Sequence, residues 1–101
     1  MKINFSKVML DLEQKPLKEG DRDLTLGPIC SNALLMPFPD ETDLEGTEKV
    51  KRFRLAEKLY QGGEVDVSPE EIVLIKKLAS KAYAPLLVGR IYEVLDAGPT
   101  Q

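Results

Sequence analysis

No histidine and no tryptophan occur in this chain, and its one cysteine is Cys30. Without histidine the chain cannot build a Ser-His-Asp triad or an imidazole proton shuttle, and most zinc sites lose their usual ligands. One thiol can form neither an internal disulfide nor a thiolate cluster. Cys30 falls in an apolar pattern and is expected as a small buried residue in a reducing compartment. Phosphate-cradling loops are missing as well. Gly62-Gly63 is not followed by Lys-Ser/Thr, and there is no G-x-G-x-x-G.

Long apolar runs are equally scarce. Val8-Met9-Leu10 ends at Asp11, and no stretch approaches the length needed to span a bilayer or serve as a signal peptide. Calcium-loop spacing fails too. Counting from Asp40 the required sixth-place glycine is Glu45, and from Asp21 it is Leu26. The carboxylate pairs Asp21/Asp23 and Asp40/Asp43 lie in polar loops, where burial would not raise a pKa for acid–base work. These absences together predict a non-enzymatic protein with no metal and no cofactor.

At 101 residues, 43% hydrophobic and 31% charged, the chain fits one modest globular domain. The net charge of −3 divides mildly, with −4 over residues 1–46 and +1 over residues 47–101. That asymmetry selects no partner by itself. A cytoplasm is the expected location.

Ser68 to Leu95 is the densest apolar stretch and the expected organiser of the fold. Ser68-Pro69-Glu70-Glu71 reads as a capping box with proline in the first turn and carboxylates at the positive end of the helix dipole. Ile72, Ile75, Leu78, Ala79, Ala82 and Tyr83 then recur at helical spacing, opposite Lys76, Lys77 and Lys81. Pro85 predicts a break near Tyr83-Ala84 and the opening of a second helix. Its apolar face is Leu87, Val88, Ile91, Tyr92, Val94 and Leu95, and it ends by Gly98-Pro99. Gly89 inside it suggests a close helix approach. Ala97 to Gln101 are expected to fray.

Upstream, the alternation of Ile3/Phe5 and of Val8/Leu10/Leu12, followed by Glu13–Pro16 and Leu17, predicts an amino-terminal β-hairpin. Lys18–Asp23 is expected as an exposed loop. A short helix should run from about Leu26 to Met36, capped by Thr25 and stopped by Pro37 and Pro39. Pro39–Gly46 reads as a solvated acidic connection. A fourth helical pattern covers Thr47–Tyr60, capped by Thr47 or Thr42, with Val50, Phe53, Ala56 or Glu57, and Tyr60 on one spacing, Leu55 and Leu59 flanking them, and Lys51, Arg54 and Lys58 on the opposite face. Gln61-Gly62-Gly63 ends it. Glu64–Val67 alternates and could be a short strand beside the hairpin or beside Leu24–Leu26. The fold class is therefore α+β, with about four helices.

Two surfaces are candidates for function. Met36, Phe38 and Leu44 flank the acidic connection, while Tyr83, Leu86 and Leu87 flank the Pro85 break. Exposed, either group forms an apolar patch suited to a protein partner or to self-association; buried, both simply complete the core. The alternative is a nucleic-acid-binding regulator using Lys49, Lys51, Arg52, Arg54 and Lys58 of the Thr47–Tyr60 pattern. Glu48 and Glu57 dilute that basic face.

The segments DRDLTLGPICSNALLMPF (21–38), EKVKRFRLAEKLYQGGEVDVSPEEIVLIKKLASKAY (48–83) and PLLVGRIYEVLD (85–96) resemble a group of small accessory proteins encoded by tailed phages and prophages. Shared features are a hairpin-like start, an LTLG…NALL segment and a V-x-(L/V)-S-x-E-(E/D)-I-x-L-I-K-K-L segment. The resemblance transfers no catalytic or binding residue. It implies a phage origin and a role through protein contact, in particle assembly or on a host component, with the host-cell cytoplasm as the location and the virion as the alternative.

Overall fold

A computed structural model describes residues 1–97. In chain order its elements are β1 (Lys2–Asn4), β2 (Lys18–Glu19), β3 (Arg22–Asp23), α1 (Leu26–Leu35), α2 (Gly46–Tyr60), β4 (Glu64–Asp66), α3 (Pro69–Ala82) and α4 (Pro85–Asp96). The architecture is α+β. The expectation of fraying at residues 98–101 lies outside the described residues.

The fold is organised around α1 rather than around the longer apolar stretch that follows Ser68. Leu26, Gly27, Ile29, Cys30, Ser31, Ala33 and Leu34 of this short helix are all buried, and it packs on both α2 and α3. Thr25 stands at its N-cap but makes no side-chain cap bond. The chain's first segment takes over that task. The amides of Leu26 and Gly27 donate to the carbonyls of Lys7 and Phe5, at 2.9 and 2.7 Å. These bonds satisfy two of the orphan donors that a helix start exposes. Inside the core, burial pushes the Cys30 thiol up to about 12, so it stays protonated.

The predicted hairpin is re-paired. β1 joins β4 antiparallel, with Lys2 opposite Asp66, Ile3 opposite Val65 and Asn4 opposite Glu64. Residues 9–17 still fold back on themselves through a Leu10–Pro16 bridge, with Leu17 N donating to Met9 O at 2.9 Å. A turn at Phe5-Ser6, with Ser6 N donating to Asn4 Oδ1 and Lys7 N to Asn4 O, separates the two segments. Beyond that turn the inward residue is Met9, not Val8 or Leu10, and Leu12 is 83% exposed. Ile3, Phe5 and Met9 share one parity, so the inward face carries on past the turn and the Val8/Leu10/Leu12 set is left on the outer side. Lys18–Asp23, expected as a loop, is a small exposed hairpin of β2 and β3, turned by Gly20 at φ 63°.

The second half follows its sequence signals closely. Ser68 and Glu71 form the reciprocal capping box, at 3.1 and 2.8 Å. Ile72, Ile75, Leu78 and Ala79 face inward, the chain breaks at Tyr83-Ala84, and Pro85 opens α4, which buries Ile91 and Leu95. Arg90 ties α4 to the amino-terminal turn by donating to the carbonyls of Leu10 and Asp11, at 2.9 and 2.7 Å. Its neighbour Gly89 is a correction, because a Cβ placed there meets no atom within 4 Å. No close helix approach requires this glycine, so Gly89→Ala removes only the entropic penalty. Thermal or urea unfolding of that variant should show a gain of about 0.5–1 kcal/mol.

Candidate protein-contact surface

α2 carries two apolar stripes, and the fold uses the one that the sequence pattern did not favour. Leu55, Ala56 and Leu59 are buried together with Arg52. Val50, Phe53 and Tyr60, expected as the core face, are 49%, 51% and 61% exposed. The difference arises because Arg52 is neutralised where it enters the interior. Its Nη1 and Nη2 donate to the two carboxylate oxygens of Glu41 at 2.8 and 2.6 Å, a paired arrangement in which both charges are satisfied. Nε lies 3.7 Å from Glu48 Oε1 and has no hydrogen-bond partner. The guanidinium in turn holds the Glu41 carboxyl below its ordinary range. Once Arg52 is anchored, helical geometry turns the 50/53/60 stripe away from the core.

The solvated acidic connection of the sequence reading is therefore corrected at one place. Glu41 leaves solvent to meet Arg52, whereas Asp40 stays exposed while pairing with Lys81 at 2.8 Å. Lys81 also lies over the Phe38 ring, 5.5 Å from its centroid. α2 begins at Gly46, with Glu45 at its N-cap position and no side-chain cap from Thr42 or Thr47.

Two grooves meet at the end of α1. One, of about 310 Å³, lies between α1 and α2 and includes Asn32, Leu35, Phe53, Glu57 and Tyr60 in its walls. The other, of about 320 Å³, gathers Met36, Phe38 and Leu44 with Lys49 and Arg52. Leu35, itself 55% exposed, is a wall of both. The fold thus brings together the first predicted contact group and extends it onto the outer face of α2. Leu35, Val50, Phe53 and Tyr60 were missed as surface residues. The available signal was that α2 has more large apolar side chains than one helix face can bury.

The remaining candidates are dispersed. Tyr83 is half-buried, and its hydroxyl donates to Ile29 O at 2.6 Å, with burial pushing its pKa up to about 12. Leu87 packs against the core, and Leu86 is 37% exposed. The basic set is also divided. Arg52 is removed from the surface, Lys58 pairs with Glu71 at 3.4 Å, and Lys49 sits in the Met36 groove. Lys51 and Arg54 are left exposed on the flank of α2.

Among the described residues no group of His, Cys, Asp or Glu is placed to hold a metal ion, and no helix is long and apolar enough to cross a membrane. Comparison with known proteins gives no match: no family model, no curated protein and no solved structure is similar to the chain.

Proposed function

We propose that this chain is a non-enzymatic contact protein, of the phage or prophage accessory kind that its sequence resembles, and that it works by presenting the outer face of α2 with the end of α1. The observation that carries this reading is the exposure of Leu35, Phe53 and Tyr60 around one groove, with Val50 exposed on the same face of α2. The core is continuous without them, running from Ile3 and Phe5 through α1 to Ile91 and Leu95. Large apolar side chains gathered on a surface lower the free energy when a partner removes them from water. Aromatic side chains such as Phe53 and Tyr60 are also enriched where proteins meet.

Photo-crosslinking from position 53 tests this reading in the cell that makes the protein. A photoreactive phenylalanine analogue at Phe53 should give a covalent protein adduct. The same analogue at Val73, 65% exposed on α3, should give far less. No adduct from position 53, or equal adducts from both positions, would reject the reading.

A further inference from the structure

The spacing on the outer face of α2 carries a statement about what covers it. Val50, Phe53, Glu57 and Tyr60 are separated by three, four and three residues. That is the seam spacing of packed helices. It is also its own mirror image, so a second α2 running in the opposite direction offers the same steps in the same order. With the two copies centred on Leu55, Val50 faces Tyr60 of the other copy, and Phe53 faces Glu57 of the other copy.

Charge supports that arrangement. Glu57 stands within the apolar seam, and Arg54 flanks it one turn earlier. Among the described residues neither forms an ion pair with the other or with a neighbour, although both are exposed. In the antiparallel pairing, Arg54 of one copy lies at the level of Glu57 of the other, within about one residue's rise of 1.5 Å. Two-fold symmetry repeats the match, so two arginines and two glutamates alternate around the axis. A parallel pairing would instead set Glu57 against Glu57 inside the seam, where like charges repel. Leu35 of each copy lies beside Phe53 in the α1–α2 groove and extends the apolar contact beyond the helix pair.

We infer that the outer face of α2 is the interface of a symmetric homodimer, in which two copies of α2 pack antiparallel and exchange Arg54–Glu57 ion pairs. This inference rests on the contact reading above and names its occupant.

Sedimentation equilibrium of the purified chain tests it. The wild type should be a dimer that dissociates on dilution. Arg54→Glu and Glu57→Arg should each weaken dimerisation about tenfold or more, because each leaves four like charges around the axis. The two changes combined should restore affinity to within about threefold of the wild type, since the pairs re-form with reversed sign. Phe53→Asp should be monomeric with unchanged far-UV circular dichroism. A wild type that stays monomeric at its highest soluble concentration would overturn the dimer, as would a dimer insensitive to Phe53→Asp or a combined variant no better than the single ones. The position-53 adduct separates the two failures. An adduct of twice the chain's mass agrees with the dimer. One to a polypeptide of another mass, with a monomeric purified chain, keeps the contact reading and rejects the second copy. No adduct rejects both.

Discussion

Arg52→Ala is expected to destabilise the protein by about 3 kcal/mol, because removing one member of a buried pair strands the other. The side chains of Arg52 and Glu41 are only 7% and 13% exposed, and both oxygens of the carboxylate are engaged. Loss of the guanidinium would leave Glu41 charged against the wall of the Met36 groove, with little water to replace its partner. Replacing both members by apolar residues of similar size, as in Arg52→Met with Glu41→Leu, should return stability to within about 1 kcal/mol of the wild type. Urea unfolding followed by far-UV circular dichroism, suited to a chain without tryptophan, measures all three proteins. A simple additive loss in the double variant would show that the pair itself does not hold the connection to α2.

The same pair sets a pH dependence. Arg52 depresses the folded-state pKa of Glu41, so its contribution is complete above the ordinary carboxylate range. It is lost as the pH falls through that range to the depressed value. The acid limb of the stability curve should therefore be flatter in Glu41→Gln than in the wild type.

Gly27→Ala is expected to cost about 3 kcal/mol or more, for a reason opposite to that at Gly89. A Cβ at Gly27 would stand 2.4 Å from the carbonyl oxygen of Leu59 and 3.1 Å from that of Phe5. Both obstacles are backbone, so no side-chain rotation relieves them. The start of α1 would have to withdraw from the end of α2 and from the segment after β1, and the Gly27 amide would lose its 2.7 Å bond to Phe5 O. Unfolding midpoints of Gly27→Ala and Gly89→Ala should move in opposite directions from the wild type. One methyl group, added at two helical glycines, thus distinguishes a close approach from open space.

These positions mark what the sequence could and could not disclose. α3 and α4 were legible because Ser68, Glu71 and Pro85 act locally, through bonds and steric exclusions spanning a few residues. Gly27 was not, since its constraint comes from Leu59, far along the chain. The orientation of α2 was misread for a related reason. Two apolar stripes compete on that helix, and the decision falls to Arg52, whose charge suggested the surface until Glu41 supplied a partner. The strand at 64–66 was anticipated, and of its two expected neighbours the structure selects the amino-terminal segment, as β1, over Leu24–Leu26. Of the candidate surface, Met36, Phe38 and Leu44 were named in advance. The larger part, around Phe53 and Tyr60, was hidden by the assumption that a regular apolar stripe faces inward.

The central claim is that α2 divides its apolar residues between the fold and a contact. Urea unfolding of a Phe53→Ser/Tyr60→Ser variant tests it most directly, performed at dilution so that no association contributes. The account predicts a free energy of unfolding within about 0.5 kcal/mol of the wild type, as for surface positions. A loss of several kcal/mol, of the size expected for truncating core aromatics, would contradict it.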